Sequence, residues 1–320
     1  MERKMAVAVP NLTEKHRAAI RTAAEHSGFE VRFFGSPEED PAFWGEAEVI
    51  FGHQPAAART DAALKWICTP YAGVDQFLAP GAFANPDAML SNSSGAYGVT
   101  IAEHQVMMLL EILRRQPEYS KITAARKWER ELKVRSIRDS RITLLGTGDI
   151  GQETAVRLRS FSPACLVGVN RSGINPGNLF DRILTGADWE TTLPETDVLM
   201  ISLPGTRDTF HMVGAEQLTL LPDGAVVINV GRGSVADQAA LLRELARGRL
   251  YAGLDVFEQE PLPPDDPAWE TPNLLITPHT AGNMTLDYTV NRIVELFLED
   301  LDRYSRGDKP ERLVDRDRGY

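Results

Sequence analysis

Short apolar runs rich in strand-forming residues alternate along this chain with longer stretches whose apolar positions recur at helical spacing. Runs at 5–9, 29–34, 48–51, 66–69 and 88–91 predict strands, 12–26 predicts an amphipathic helix ending at Gly28, and 59–64 predicts a helical turn or two. Short apolar runs alternating with helices imply a parallel sheet covered on both faces. This first α/β layer ends near Gly98. Residues 100–121 predict a single helix of about 30 Å at 1.5 Å per residue, able to carry the chain into a second unit. Its methionines and leucines read as core. Further strands are predicted at 142–145, 164–169, 198–202, 225–229, 250–254 and 274–277, and a last helix at 285–304 is expected to pack back on the first unit. Trp128 is an apolar residue with no assigned place.

Length and composition fit that division. The chain's 320 residues hold two domains of ordinary size, with 43% hydrophobic and 25% charged residues, as in a soluble globular protein. A net charge of −11 argues against a nucleic-acid or anionic-membrane partner, without bearing on a local basic pocket. The first ten residues show no signal-peptide pattern, and the apolar run 106–110 is cut by Glu111, so no membrane span is expected. Cys68 and Cys165 sit in strand-like runs and read as buried thiols of a cytoplasmic protein rather than a disulfide or metal site. No metal is expected.

The chemistry is concentrated in loops that leave strand ends. After 142–145 comes Gly146-Thr147-Gly148-Asp149-Ile150-Gly151, followed by a helical segment. In such a turn Gly146 permits the bend, Gly148 admits a pyrophosphate, and Gly151 lets helix and strand approach. The helix N-terminus then offers free N–H groups to the phosphates. Three later loops carry Arg232 (229–233), Glu258 and Glu260 (253–261), and His279 (277–282). A guanidinium can hold a carboxylate or polarise a carbonyl, and an imidazole backed by a carboxylate can exchange a proton near neutral pH. His53, His104 and His211 read as structural or packing residues, and His16 and His26 as surface residues. Tyr71 and Tyr97 flank the expected ligand end of the first sheet.

These motifs together resemble the D-isomer-specific 2-hydroxyacid dehydrogenase family. The glycine turn, Asn229-Val230-Gly231-Arg232-Gly233, Leu254-Asp255-Val256-Phe257 with Glu260-Pro261, Thr277-Pro278-His279, Ala72-Gly73-Val74-Asp75 and Ser94-Gly95-Ala96-Tyr97 match it in type, order and approximate spacing. The resemblance implies two doubly wound parallel-sheet domains with a cleft between them. Residues 1–98 and 289–320 would form a flavodoxin-like substrate domain, and 99–288 a Rossmann-type cofactor domain. It implies His279 as general acid/base, Glu260 as its partner and Arg232 as the substrate-binding cation. Glu258 is the rival to Glu260, but only Glu260 precedes a proline as the family pattern requires. Asp255 would hold the nicotinamide carboxamide. Tyr71, Ala72, Gly73 and Val74 would contact substrate, with the Gly73 and Val74 N–H groups cradling its carboxylate. Gly146, Gly148, Asp149, Ile150, Gly151, Pro204, Thr209, Val230 and Gly231 would line the cofactor. The implied reaction is reduction of a small 2-oxoacid such as glyoxylate or hydroxypyruvate, and the implied assembly is a homodimer.

One departure bears on the cofactor. A fold that prefers NAD usually places an acid at the end of its second strand, for the ribose 2′-hydroxyl. Here Asn170-Arg171-Ser172 occupy that end, with no carboxylate from Thr154 through Phe180, so the reading leans to NADP with NAD possible. Two other readings stand beside the reductase: a formate dehydrogenase-like enzyme, which lacks the Glu of the His pair, and a dinucleotide-sensing corepressor-like binding protein.

Overall fold

The computed structural model describes residues 3–320. The chain divides into two compact units, one running to Tyr97 and resuming with Asn283–Tyr320, the other Gly98–Gly282. The first opens with β1 (Arg3–Ala8), α1 (Glu14–His26), β2 (Phe29–Phe33), α2 (Pro41–Trp44), β3 (Val49–Gly52), α3 (Pro55–Thr60), β4 (Trp66–Cys68) and β5 (Met89–Ser91). Its strands pair in the order β2-β1-β3-β4-β5, all parallel. Every residue of β3 and β4 is buried, as a sheet covered on both faces demands of its inner strands.

The second unit holds α4 (Gly98–Leu113), α5 (Gln116–Ala124), β6 (Arg141–Leu145), α6 (Asp149–Arg159), β7 (Cys165–Val169), β8 (Arg182–Leu184), β9 (Val198–Ile201), α7 (Ala215–Leu220), β10 (Val226–Asn229), α8 (Gln238–Ala246), β11 (Tyr251–Leu254) and β12 (Leu274–Ile276). Its seven strands run parallel in the order β12-β11-β10-β9-β6-β7-β8. The order reverses at β6, between β9 and β7, and such a switch point opens a crevice at the strands' carboxyl ends. The glycine turn leaves β6 there. The chain then returns to the first unit through α9 (Asp287–Ser305). Phe297 of α9 stacks on Phe51 with ring centroids 3.8 Å apart and planes 5° from parallel, and Trp66 packs 5.5 Å from the same ring.

The structure departs from the sequence reading in several places. The helix expected over 100–121 is two helices, α4 and α5. Arg115 between them has φ 57°, and Pro117 opens α5, where its missing N–H costs nothing. A continuous helix would have lost that bond and met a ring clash. β8, at the edge of the sheet, went unread because it opens on exposed Arg182 and none of its three residues is fully buried, so it lacks an apolar run. His16 is buried, because its Nδ1 accepts from Thr13 N at 3.1 Å in a capping box and its Nε2 meets Asn291 Oδ1 at 2.7 Å. Trp128 is 92% exposed. Burial pushes the Cys68 thiol up to about 12, while Cys165 is only partly covered. Among the described residues no helix is long and apolar enough to cross a membrane.

Candidate active site

The glycine turn has the shape its residues require. Gly146 has φ +100°, where a side chain would also crowd Ser202. A Cβ on Gly151 would lie 2.1 Å from the Gly146 carbonyl oxygen, so α6 can seat against β6 only with glycine there. A Cβ on Gly148 would meet nothing within 4 Å, which leaves the turn open to a diphosphate beside the N-terminus of α6. Ile150 lies in the first turn of that helix. The Asp149 side chain turns elsewhere, its Oδ2 accepting the Gly98 N–H at 2.7 Å, so the part of Asp149 offered to a ligand is backbone.

Asn170, after β7, bonds back to the turn: its Nδ2 donates to Thr147 Oγ1 at 2.7 Å, and its Oδ1 accepts from Gly173 N at 2.8 Å and Ser172 Oγ at 3.3 Å. That leaves the exposed Arg171 at the tip of an ordered loop that carries no carboxylate. Pro204 and Thr209 close another loop, Thr209 Oγ1 donating to the Pro204 carbonyl at 2.6 Å. Val230 and Gly231 are buried at the end of β10, where Val230 N donates to Ile201 O at 3.1 Å. Asn229, which the sequence reading left without a task, clamps the arginine loop. Its Oδ1 accepts from Gly231 N and its Nδ2 donates to Arg232 O, each at 3.0 Å.

Three loops at the carboxyl ends of β10, β11 and β12 bring Arg232, Glu260 and His279 together. His279 Nδ1 lies 2.6 Å from Glu260 Oε2, and Glu260 Oε1 accepts the Phe257 N–H at 2.9 Å, which fixes the carboxylate. The hydrogen bond to Glu260 raises the His279 pKa above its ordinary value against the opposing effect of burial; the Glu260 charge adds to the rise and Arg232 works against it. Burial alone would raise Glu260, but the His279 hydrogen bond, the Phe257 N–H and the charges of His279 and Arg232 bring its pKa below the usual value. Both members of the pair therefore feel the Arg232 charge. The rival Glu258 is occupied by Gln238 N at 2.9 Å and His211 Nε2 at 3.1 Å. Asp255, beneath these loops, is 1% exposed, and its carboxylate accepts from Thr277, Thr280 and Ala281.

In the first unit, the loop after β4 has its carbonyls turned inward. Pro70 O accepts from Tyr97 Oη at 2.7 Å, Tyr71 O from Ser93 N at 3.1 Å, and Ala72 O from Asn92 Nδ2 at 2.8 Å. In a trans peptide the C=O and following N–H point opposite ways, so the Gly73 N–H faces away from Asn92. The Val74 side chain is core, Tyr71 and Ala72 are exposed, and His53 is held by Thr69 Oγ1 at 2.9 Å with Tyr71 and Phe77 edge-on to its ring.

The chain has counterparts among known proteins. The family model described as "D-isomer specific 2-hydroxyacid dehydrogenase, NAD binding domain" matches residues 106–281. The chain belongs to this family. It is an oxidoreductase that works with a nicotinamide dinucleotide. A glyoxylate reductase of Thermofilum pendens is 32% identical over 265 residues, 79% of this chain and 76% of the relative. A family member from Aeromonas salmonicida subsp. salmonicida superposes with a TM-score of 0.84 at 30% identity, over 99% of this chain and 100% of the other. The NADPH-dependent glyoxylate/hydroxypyruvate reductase of Sinorhizobium meliloti, solved with NADP and sulfate, gives 0.80 at 28% identity, over 99% and 100%.

Proposed function

We propose that this dehydrogenase reduces a small 2-oxoacid, glyoxylate or hydroxypyruvate, with NADPH preferred over NADH. The observation that carries this reading is the His279–Glu260 pair at 2.6 Å within the field of Arg232. The open Gly148 turn and the N-terminus of α6 suit the cofactor's diphosphate, with Val230, Gly231, Pro204 and Thr209 on the loops beside it. Arg171 and Ser172 suit a 2′-phosphate, because a guanidinium binds its charge and no acid repels it. When bound, the nicotinamide supplies a hydride to C2 of the oxoacid.

The chain's own residues do the rest. The raised pKa keeps His279 protonated toward neutral pH, and it gives that proton to the oxygen at C2 as the carbonyl becomes an alcohol. Glu260 holds the ring through Nδ1, leaving Nε2 to face the reacting oxygen, and stabilises the imidazolium. Arg232 offsets charge on that oxygen or binds the substrate carboxylate. The Gly73 and Val74 N–H groups are the backbone offered to a carboxylate.

Glu260 engaging His279 speaks against the formate dehydrogenase-like reading, and catalytic turnover separates an enzyme from a corepressor-like sensor. Exposed Met107 and Phe161, with Val106 and Leu110 beside them, form an apolar strip suited to a second copy of the chain. Two unpaired cysteines suit the reducing cytoplasm. The test is a panel of 2-oxoacids assayed with both cofactors. Wild-type protein is expected to turn over small 2-oxoacids, and His279→Asn to lower kcat by at least ~10²-fold with cofactor affinity little changed. No turnover on the panel, or near-normal turnover by the variant, defeats the reading.

A further inference from the structure

The His279 loop is held at several points by one buried residue. Asp255 Oδ1 accepts the Thr277 hydroxyl at 2.6 Å and the Thr280 N–H at 2.9 Å, while Oδ2 accepts the Ala281 N–H at 3.0 Å. The Asp255 carbonyl accepts the His279 N–H at 2.8 Å. The loop needs such restraint, because His279 has φ 52°, in the left-handed region that costs a residue with a side chain.

A further residue joins this network from α4. His104 Nε2 lies 2.9 Å from Thr277 Oγ1 and 3.6 Å from Asp255 Oδ1, with its side chain 15% exposed. An ionised carboxylate only accepts, so the one proton of Thr277 is the one given to Asp255. The other neighbour of that hydroxyl must then donate, which assigns the proton of His104 to Nε2. Burial lowers the His104 pKa against the pull of Asp255 and Glu111, and the neutral ring still supplies the donor. The hydrogen bonds therefore run in one direction, from His104 through Thr277 to Asp255, whose backbone and carboxylate hold the loop.

The geometry points to His104 as a positioning residue: through Thr277 and Asp255 it fixes the 277–281 loop and so the place of the His279 imidazole. This deepens the role proposed for His279 and rests on it. A histidine early on a largely apolar helix carries no signal in the sequence, since Thr277 is 173 positions away.

Thr277→Val removes the hydroxyl at almost constant shape, and His104→Phe removes the donor while keeping bulk. Each is expected to lower kcat about tenfold through misplacement of His279, with cofactor KM within about twofold of wild type. The double variant should be no slower than either single one, because the two residues act in one chain of bonds. Thr277→Ser should restore kcat. A readout independent of turnover is amide hydrogen exchange at His279, Thr280 and Ala281, expected to quicken about fivefold or more in both single variants. Wild-type kcat in Thr277→Val, fully additive losses, or unchanged exchange would overturn the assignment. A wild-type protein that reduces no 2-oxoacid would defeat the proposed function instead, and exchange would still decide the role of His104.

Discussion

Replacing Glu260 with Gln keeps the side chain's shape and its acceptor for the Phe257 N–H, and removes one charge. On the role proposed for His279, reduction requires the ring to carry a proton, so kcat/KM should be flat in acid and fall as pH rises through the His279 pKa. In the wild type that fall lies above 6.5, because the largest influence on the ring is the hydrogen bond to Glu260. Without the carboxylate, burial and Arg232 remain to lower the pKa, against a smaller upward pull from Asp255. The fall should therefore move to lower pH. A hydrogen bond to a charged partner contributes about 1.5–3 kcal/mol, and the low end applies because the His279 side chain is 51% exposed and that of Glu260 33%. About 1.4 kcal/mol corresponds to roughly tenfold in kcat/KM on the alkaline side. The assay is initial-rate reduction with each enzyme across about pH 5 to 9, a range that brackets imidazole titration. Stability carries the same signature. The raised His279 contributes stability that is full below its unfolded pKa and lost as pH climbs through the folded one. The lowered Glu260 contributes above 4.5 and loses it as pH falls. The stability difference between wild type and variant should accordingly be greatest between these limits. An inflection that stays in place would refute the pairing as the source of the raised pKa.

Other substitutions separate the remaining roles. Arg171→Ala should weaken NADPH by ~1.5–3 kcal/mol and leave NADH nearly untouched, read from KM for both cofactors; equal losses would remove Arg171 from phosphate recognition. Arg232→Lys keeps the charge but loses the planar fork, so kcat/KM should fall about 10- to 100-fold, and wild-type kinetics would exclude a bidentate role. Phe297→Ala empties the stacking site against Phe51 and Trp66 and should cost about 3–5 kcal/mol in denaturant unfolding, whereas a loss below about 1 kcal/mol would mean that α9 contributes little to that core.

Most of the strands were legible because runs such as 49–51 and 226–228 are apolar throughout, as strands of a sheet covered on both faces are. The glycine turn was legible for a local reason: the bend at Gly146 and the contact between Gly151 and Gly146 are set within a few residues. Arg232, Glu260 and His279 could be named because their neighbours form motifs at fixed offsets. The sequence determined no more than which loops carry the residues proposed for the chemistry. The proline after Glu260 already set it apart from Glu258 by motif, and the tertiary structure adds the geometric ground, Glu260 meeting His279 while Glu258 meets Gln238 and His211. The break at Arg115, the burial of His16 and the exposure of Trp128 depended likewise on groups distant in the chain or on a single backbone angle that periodicity does not record. The bonds from His104 through Thr277 to Asp255 show the same limit. Hydrogen bonds are directional and short, so whether three polar residues far apart in sequence form one network is decided only when packing brings them within 3 Å.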